Sequence, residues 1–387
     1  MRRYFFAVAA AGLTALASLA GHAAGVTDNE IVVGTHLDLS GPVASGMPYL
    51  RDGMRLRFDE ANEAGGINGR KIRLIVEDNG SQPQLAVRAV DKLIKDDGVF
   101  AIVNAFGSGP NAAVVKRATG AGVVYFAPWA ASAVLHKIAG PTDLLFTVTP
   151  NYDTTTDEGL SWMIDKFNIK RVGFVYQDGP LGQLVAAGVK KAMARKGMSL
   201  VAEASYKVGD IDFSSQVARM KAANAQLIFV AALQRELVGV GTEVKKLGWS
   251  DVKILTANPG RTNVSLMLGK GVLDGIYGIG PWSATLPSEG PPAEQKIAAD
   301  FKARFHLEAD ENAVLAYAYA DWFIKGLQKA GRDLTAEKLA KVLPEITEDN
   351  PIFYEPVHFK DGHINPETVI VDQAQGNHWV HASPIIH

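Results

Sequence analysis

The chain has 387 residues, 39 basic and 41 acidic side chains for a net charge of -2, and no cysteine. The missing cysteine excludes disulfides, thiolate metal sites, a cysteine nucleophile and a lipid-anchored N-terminus. No basic stripe stands out against the near-neutral balance, so neither nucleic acid nor an anionic membrane surface is an expected partner.

Residues 1–24 read as a secretory signal peptide, with Arg2 and Arg3 ahead of an apolar run over 4–20 and small residues at Gly21, Ala23 and Ala24. A single membrane anchor is the competing reading, but that run is shorter than the roughly 20 residues a span needs. The remaining chain, about 360 residues, exceeds one ordinary core and suits two lobes of similar size.

Strands then alternate with helical segments. An apolar strand over 31–36 ends in the loop Asp38-Leu39-Ser40-Gly41-Pro42. A polar-faced helix follows and reverses through the glycines at Gly65, Gly66 and Gly69 into a strand over 71–77 that stops at Asp78-Asn79-Gly80. Next come a helix over 84–96, a strand over 99–103, a helix over 110–119 and a strand over 123–126. The segment 144–149 leads into Pro150-Asn151-Tyr152, where a hinge is expected. A second series of strands (171–176, 199–206, 227–231, 252–256) and helices (155–167, 181–196, 213–222, 236–247) repeats the pattern, and each series implies a parallel sheet with right-handed crossovers. After 275–282 come helices over 293–305 and 312–330, and short strands near Val369 and Trp379 close the chain.

The sharpest local signal is Phe106-Gly107-Ser108-Gly109-Pro110, which leaves a strand and opens a helix with proline in its first turn. Unpaired N–H groups, the positive end of the helix dipole and the Ser108 hydroxyl there suit a carboxylate; a plain N-cap with turn glycines is the other reading. Pro128-Trp129-Ala130-Ala131-Ser132 ends the next strand, and ligands in open α/β sheets lie beyond the carboxyl ends of strands. The small side chains of Ala130 and Ala131 admit a close approach, Ser132 can donate a hydrogen bond, and Trp129 offers either a flat wall or lobe-surface packing. Tyr152 stands in the expected hinge segment, and Tyr152 and Trp282 are further candidate aromatics for an apolar wall, with a structural role the equal alternative for each.

Enzyme signatures are poor. Gly269-Lys270-Gly271 lacks the rest of a phosphate loop, and the Ser-x-x-Lys spacing at Ser250 and Lys253 has no partner motifs. His378 and His381 point to opposite faces of a strand, and His358 and His363 straddle an Asp-Gly turn expected to be solvated.

SGPVASG, AGGINGRKI and VEDNGSQP occur in that order, and with them the chain resembles the branched-chain amino-acid binding family of periplasmic solute-binding proteins. The resemblance implies an α/β fold of two doubly wound parallel-sheet lobes joined by a three-strand hinge, the type I periplasmic binding fold. Residues 25–148 plus 281–352 are expected in the N-terminal lobe and 149–280 plus 353–387 in the C-terminal lobe, with crossings near 147–152, 279–283 and 350–359. It implies a monomeric, non-enzymatic periplasmic receptor without cofactor or metal, which captures a small solute and delivers it to an inner-membrane ABC permease. A ligand-sensing partner of a signalling system is the alternative. Family members can carry a disulfide at the positions of Ser81 and Gly107. The serine matching Ser108 contacts the ligand carboxylate, and across the cleft the family's motif falls on Leu181, Leu233 and Pro259. There the chain departs from amino-acid binders, in which the first two positions are commonly aromatic and the third is an acid that pairs with the ligand's ammonium. The capping aromatic after the Ser-Gly-Pro loop is replaced by Gly46. Since an unpaired buried ammonium is costly, the expected solute is a carboxylate on an apolar or aromatic body unless Glu236 or Asp210 substitutes.

Overall fold

The computed structural model describes residues 23–365 and 368–386, so the expected leader lies outside the described residues except for Ala23 and Ala24. The first lobe opens with β1 (Glu30–Leu37), α1 (Met47–Glu63), β2 (Lys71–Asp78), α2 (Pro83–Lys95), β3 (Ala101–Val103), α3 (Ser108–Gly120), β4 (Val124–Phe126), α4 (Ser132–Ala139) and β5 (Leu145–Phe146). Its five strands are parallel in the order β2-β1-β3-β4-β5. β1 is buried over 31–37 because it has a neighbour on each edge and helices on each face. Successive side chains divide between those faces: Val33 packs with α1, and Val32 with α2 and α3. Between α1 and β2 the chain reverses at Gly66 (φ +79°), where a Cβ would stand 2.2 Å from the Arg70 carbonyl oxygen. Only glycine fits that turn.

The second lobe runs α5 (Tyr152–Phe167), β6 (Val172–Gln177), α6 (Pro180–Arg195), β7 (Ala202–Tyr206), α7 (Ser214–Ala222), β8 (Leu227–Ala231), α8 (Gln234–Lys246), β9 (Lys253–Thr256), α9 (Asn263–Gly269) and β10 (Tyr277–Gly280). The strand order β7-β6-β8-β9-β10 reproduces that of the first sheet. The chain then returns to the first lobe for α10 (Pro292–Phe305), α11 (Glu311–Ala330), α12 (Ala336–Val342) and the hairpin β11 (His358–Lys360) and β12 (His363–Asn365). It finishes on the second sheet with β13 (Ile370–Gln375), antiparallel to β10, and β14 (His378–His381), antiparallel to β13. The second sheet is therefore mixed, with a parallel core and an antiparallel edge.

α11 is the central helix of the first lobe. It packs along α1, where Gly53 lies so close to Ala313 that a Cβ would come within 2.3 Å of its carbonyl oxygen. Trp322 of α11 stacks on Phe359 of the hairpin at 4.1 Å.

The expected third crossing near 350–359 falls later. Phe353, Val357, Phe359 and Ile364 are buried in the first lobe's core, so the last passage to the second lobe follows β12, beyond the boundary expected at 352/353. The crossings pair with their neighbours: Ile364 N–H donates to the Thr147 carbonyl (3.1 Å) and Ser283 N–H to that of Ile352 (2.8 Å). At the Asp361-Gly362 turn both residues have positive φ, as a tight hairpin demands. His358 is exposed, but His363 is half-buried with Nδ1 3.0 Å from Thr147 Oγ1, so that part of the turn is not solvated as expected.

Candidate ligand-binding cleft

Both sheets direct the carboxyl ends of their strands toward one cleft between the lobes, with an empty volume of about 1500 Å³ including the open solvent at its mouth. Residues at the N-terminal ends of α1, α2, α3, α6, α8 and α11 line it: Met47, Pro83, Ser108, Pro180, Gln234 and Asn312. Helix N-termini carry unsatisfied N–H groups and partial positive charge, which favour an anion. Among the described lining residues the charged side chains are Asp178 and Arg235, both exposed.

The Ser108 loop is held from beneath. Asn111 Nδ2 donates to the carbonyls of Ala105 (3.0 Å) and Gly107 (2.9 Å), while Asn79 Nδ2 donates to that of Phe106 (2.9 Å). Three successive carbonyls are thus engaged below the loop, and no side chain caps the first turn of α3. Gly107 takes φ +103° to make the bend. The second proton of Asn79 Nδ2 points to His36 Nδ1 (2.9 Å), which leaves His36 Nε2 to donate to the Tyr125 hydroxyl (2.9 Å). Tyr125 in turn donates to Asn111 Oδ1. Burial pushes the His36 pKa down to about 3, so the ring stays neutral and the network keeps one polarity.

Trp129 is half-buried in the cleft wall, edge-on to Trp282 (6.3 Å between ring centres) and Tyr319 (6.0 Å), with Nε1 donating to Asn104 Oδ1 at 3.3 Å. It both lines the cleft and packs against the crossing at Trp282. Leu181 at the start of α6, Leu233 ahead of α8 and Pro259 after β9 line the opposite wall, and Tyr152 begins α5.

A family profile described as "Periplasmic binding protein" matches residues 30–377. The chain belongs to this family. Among its relatives, a Leu/Ile/Val-binding protein of Rhizobium johnstonii is 27% identical over 317 residues, covering 82% of this chain and 84% of that protein. A fatty acid ABC transporter substrate-binding protein from Thermomonospora curvata has a similar structure, with TM-score 0.84, 24% identity and 94% of both chains covered. So does a solute-binding protein of an ABC transporter from R. palustris, solved in complex with benzoate, with TM-score 0.82, 16% identity and 92% and 98% covered. The periplasmic binding proteins are solute-binding proteins rather than enzymes, and the family is periplasmic. Among the described residues no group of three or more His, Asp or Glu could hold a metal.

In this periplasmic binding protein Phe106, Ser108, Trp129, Tyr152, Leu181, Leu233, Pro259 and Trp282 come together along one cleft. Ala130, Ala131 and Ser132 do not. Ala130 packs under the first sheet and Ala131 in the second lobe's core, while Ser132 starts α4 and gives its hydroxyl proton to the Thr149 carbonyl. Ser132 is thereby spent on the crossing segment instead of facing the cleft. Neither substitute anion reaches the cleft lining. Glu236 is buried in the first turn of α8, its pKa raised by that burial, and the exposed Asp210 accepts from Lys207 N–H. Thr149, Gln177, Asn258, Thr262, Val264 and Asn312 also line the cleft. No motif marks them or the buried partners His36 and Tyr125; Asn79 lies within VEDNGSQP and Asn111 one residue past Pro110, but neither segment announces a supporting role.

Proposed function

We propose that this is the substrate-binding protein of an ABC importer and that it captures, as a monomer, a carboxylate carried on an apolar or aromatic body. The cleft closes by bending at the three crossings and presents the closed form to an inner-membrane permease. The supporting observation is the uncapped first turn of α3 with Ser108 in a cleft whose far wall offers Leu181, Leu233 and Pro259 and no buried carboxylate. An acid fits that wall, whereas an α-amino group would be buried there without an anion. The names of the fatty-acid and benzoate-bound proteins agree with this reading, and that of the Rhizobium relative favours an amino acid. Calorimetry of matched pairs decides between them: phenylacetate against phenylalanine, and 4-methylpentanoate against leucine, at equal pH and salt. The acids are expected to bind and the amino acids to bind at least about tenfold more weakly, a difference of ~1.4 kcal/mol. Tight binding of an amino acid with no binding of either acid would overturn the proposal.

A further inference from the structure

Gly46 is the residue before α1, and its backbone is right-handed helical (φ -88°, ψ -14°), a conformation open to any side chain. A Cβ placed there would meet nothing within 4 Å, yet Gly46 lines the cleft. The glycine is therefore not demanded by its turn or by crowding. It leaves space unfilled beside the ligand site.

That space is bounded by fixed walls. Met47 and Leu50, from the first turns of α1, line one side, and Val264 and Leu268 of α9 line the other. Close packing of Gly53 on Ala313 holds α1 against α11 just beyond Leu50. α9 is tied to the same end of α11, because Glu311 accepts from Asn263 N–H (2.8 Å) and Nδ2 (2.7 Å) in a buried contact between the lobes. Apolar side chains of both lobes thus face one volume that begins at Gly46 and ends against the N-terminus of α11.

Resting on the reading that a carboxylate binds at Ser108, we infer that the cleft has a second, apolar arm opened by Gly46, and that the solute is an acid whose apolar body is longer than a branched-chain amino-acid side chain. A medium-chain aliphatic acid, or an aryl acid with an alkyl substituent, has the required form. Its tail lies between α1 and α9 while its head stays at α3.

The test is calorimetry with butanoate, hexanoate and octanoate on the wild-type protein and on Gly46→Trp, with Gly46→Ala as a small-side-chain control. Full burial of each added methylene would tighten binding about fourfold, so octanoate is expected to bind the wild type at least about tenfold more tightly than butanoate. Gly46→Trp should remove that advantage and leave butanoate within about twofold, at an unchanged melting temperature; Gly46→Ala should preserve it. Wild-type affinity that does not rise with length would overturn the arm, as would full octanoate affinity in Gly46→Trp. If only amino acids bind, the carboxylate reading has failed separately. The same comparison between 2-aminobutanoate and 2-aminooctanoate then decides the arm by the same criteria. Binding of neither series would overturn it.

Discussion

Ser108 differs from Ser132 and Thr262 in what its hydroxyl is free to do. Ser132 is engaged by Thr149, and the Thr262 hydroxyl caps α9 by accepting from Ser265 N–H. Ser108 instead stands in an uncapped first turn whose preceding carbonyls are already held by Asn79 and Asn111. Replacing Ser108 with Ala should weaken binding of an acid ligand by about 1.5–3 kcal/mol, the range for a hydrogen bond to a charged group. Its melting temperature without ligand should stay unchanged. Calorimetry and a thermal melt check the two halves, and an unaltered dissociation constant would remove Ser108 from the site. The Ser108 loop was legible because its glycines, proline and serine are contiguous. Its support was not: His36 meets Tyr125 across 89 positions and Asn79 across 43, and no local pattern announces such a pairing.

At the scale of elements, length separates what could be read from what could not. The helices and strands of each lobe's repeating series carry enough periodic residues to declare themselves, and the Gly66 turn is marked by its own steric need. α4, α9 and α12 escaped because each spans only about two turns, too short for period to show, and the hairpin β11–β12 because it lies outside the strand–helix alternation that marked the equally short β3 and β4. Their caps were the readable trace: Thr262 accepts from Ser265 N–H, and Thr335 from Lys338 N–H. α10 holds the clearest conflict with local rules. Glu294 in its first turn is fully buried, and its carboxylate oxygens have no hydrogen-bond partner among the described residues. Burial raises its pKa from 4.5 to about 7. The folded protein therefore holds a proton that the unfolded chain releases between those values. The stabilisation from that proton is complete below about pH 4.5 and is lost as pH rises through about 7. Burial also raises the pKa of Glu311, with the Asp310 charge adding to the shift, so it contributes in the same direction. Glu294→Gln should flatten the fall in stability between pH 5 and 8 and gain on the order of 2 kcal/mol at pH 8. Urea unfolding at a series of pH values measures both. A wild-type-like slope in the variant would refute the assignment to Glu294.

For the whole molecule, the lobes meet at a polar joint buried beside Trp282. Arg261 is inaccessible to solvent. It pairs with Asp372 (2.6 Å) and donates to the Trp282 carbonyl (2.6 Å), which also accepts from the Tyr354 hydroxyl (2.8 Å). β10 makes room for this side chain with Gly278 and Gly280, and a Cβ on Gly280 would fall 1.6 Å from Arg261 Nη2. Gly280→Ala should therefore lower stability by about 2–4 kcal/mol, because a guanidinium already paired with a buried acid has no alternative place. Denaturant unfolding checks this, and a loss under about 0.5 kcal/mol would mean that the joint yields easily.

The excursion of the chain between β10 and β13 also bears on how the molecule comes to exist. The first sheet is complete by Phe146, but the helix that covers its inner face, α11, does not arrive until 311–330. The second sheet lacks its β13 and β14 edge until residues 370–381 have followed. No single cut divides the polypeptide into two self-sufficient halves. A chain emerging from its N-terminus must wait for its last few dozen residues before either half can close its core, and such long-range dependence favours slow, late assembly. Removing β13 and β14 should therefore cost the second half its fold as well as its edge.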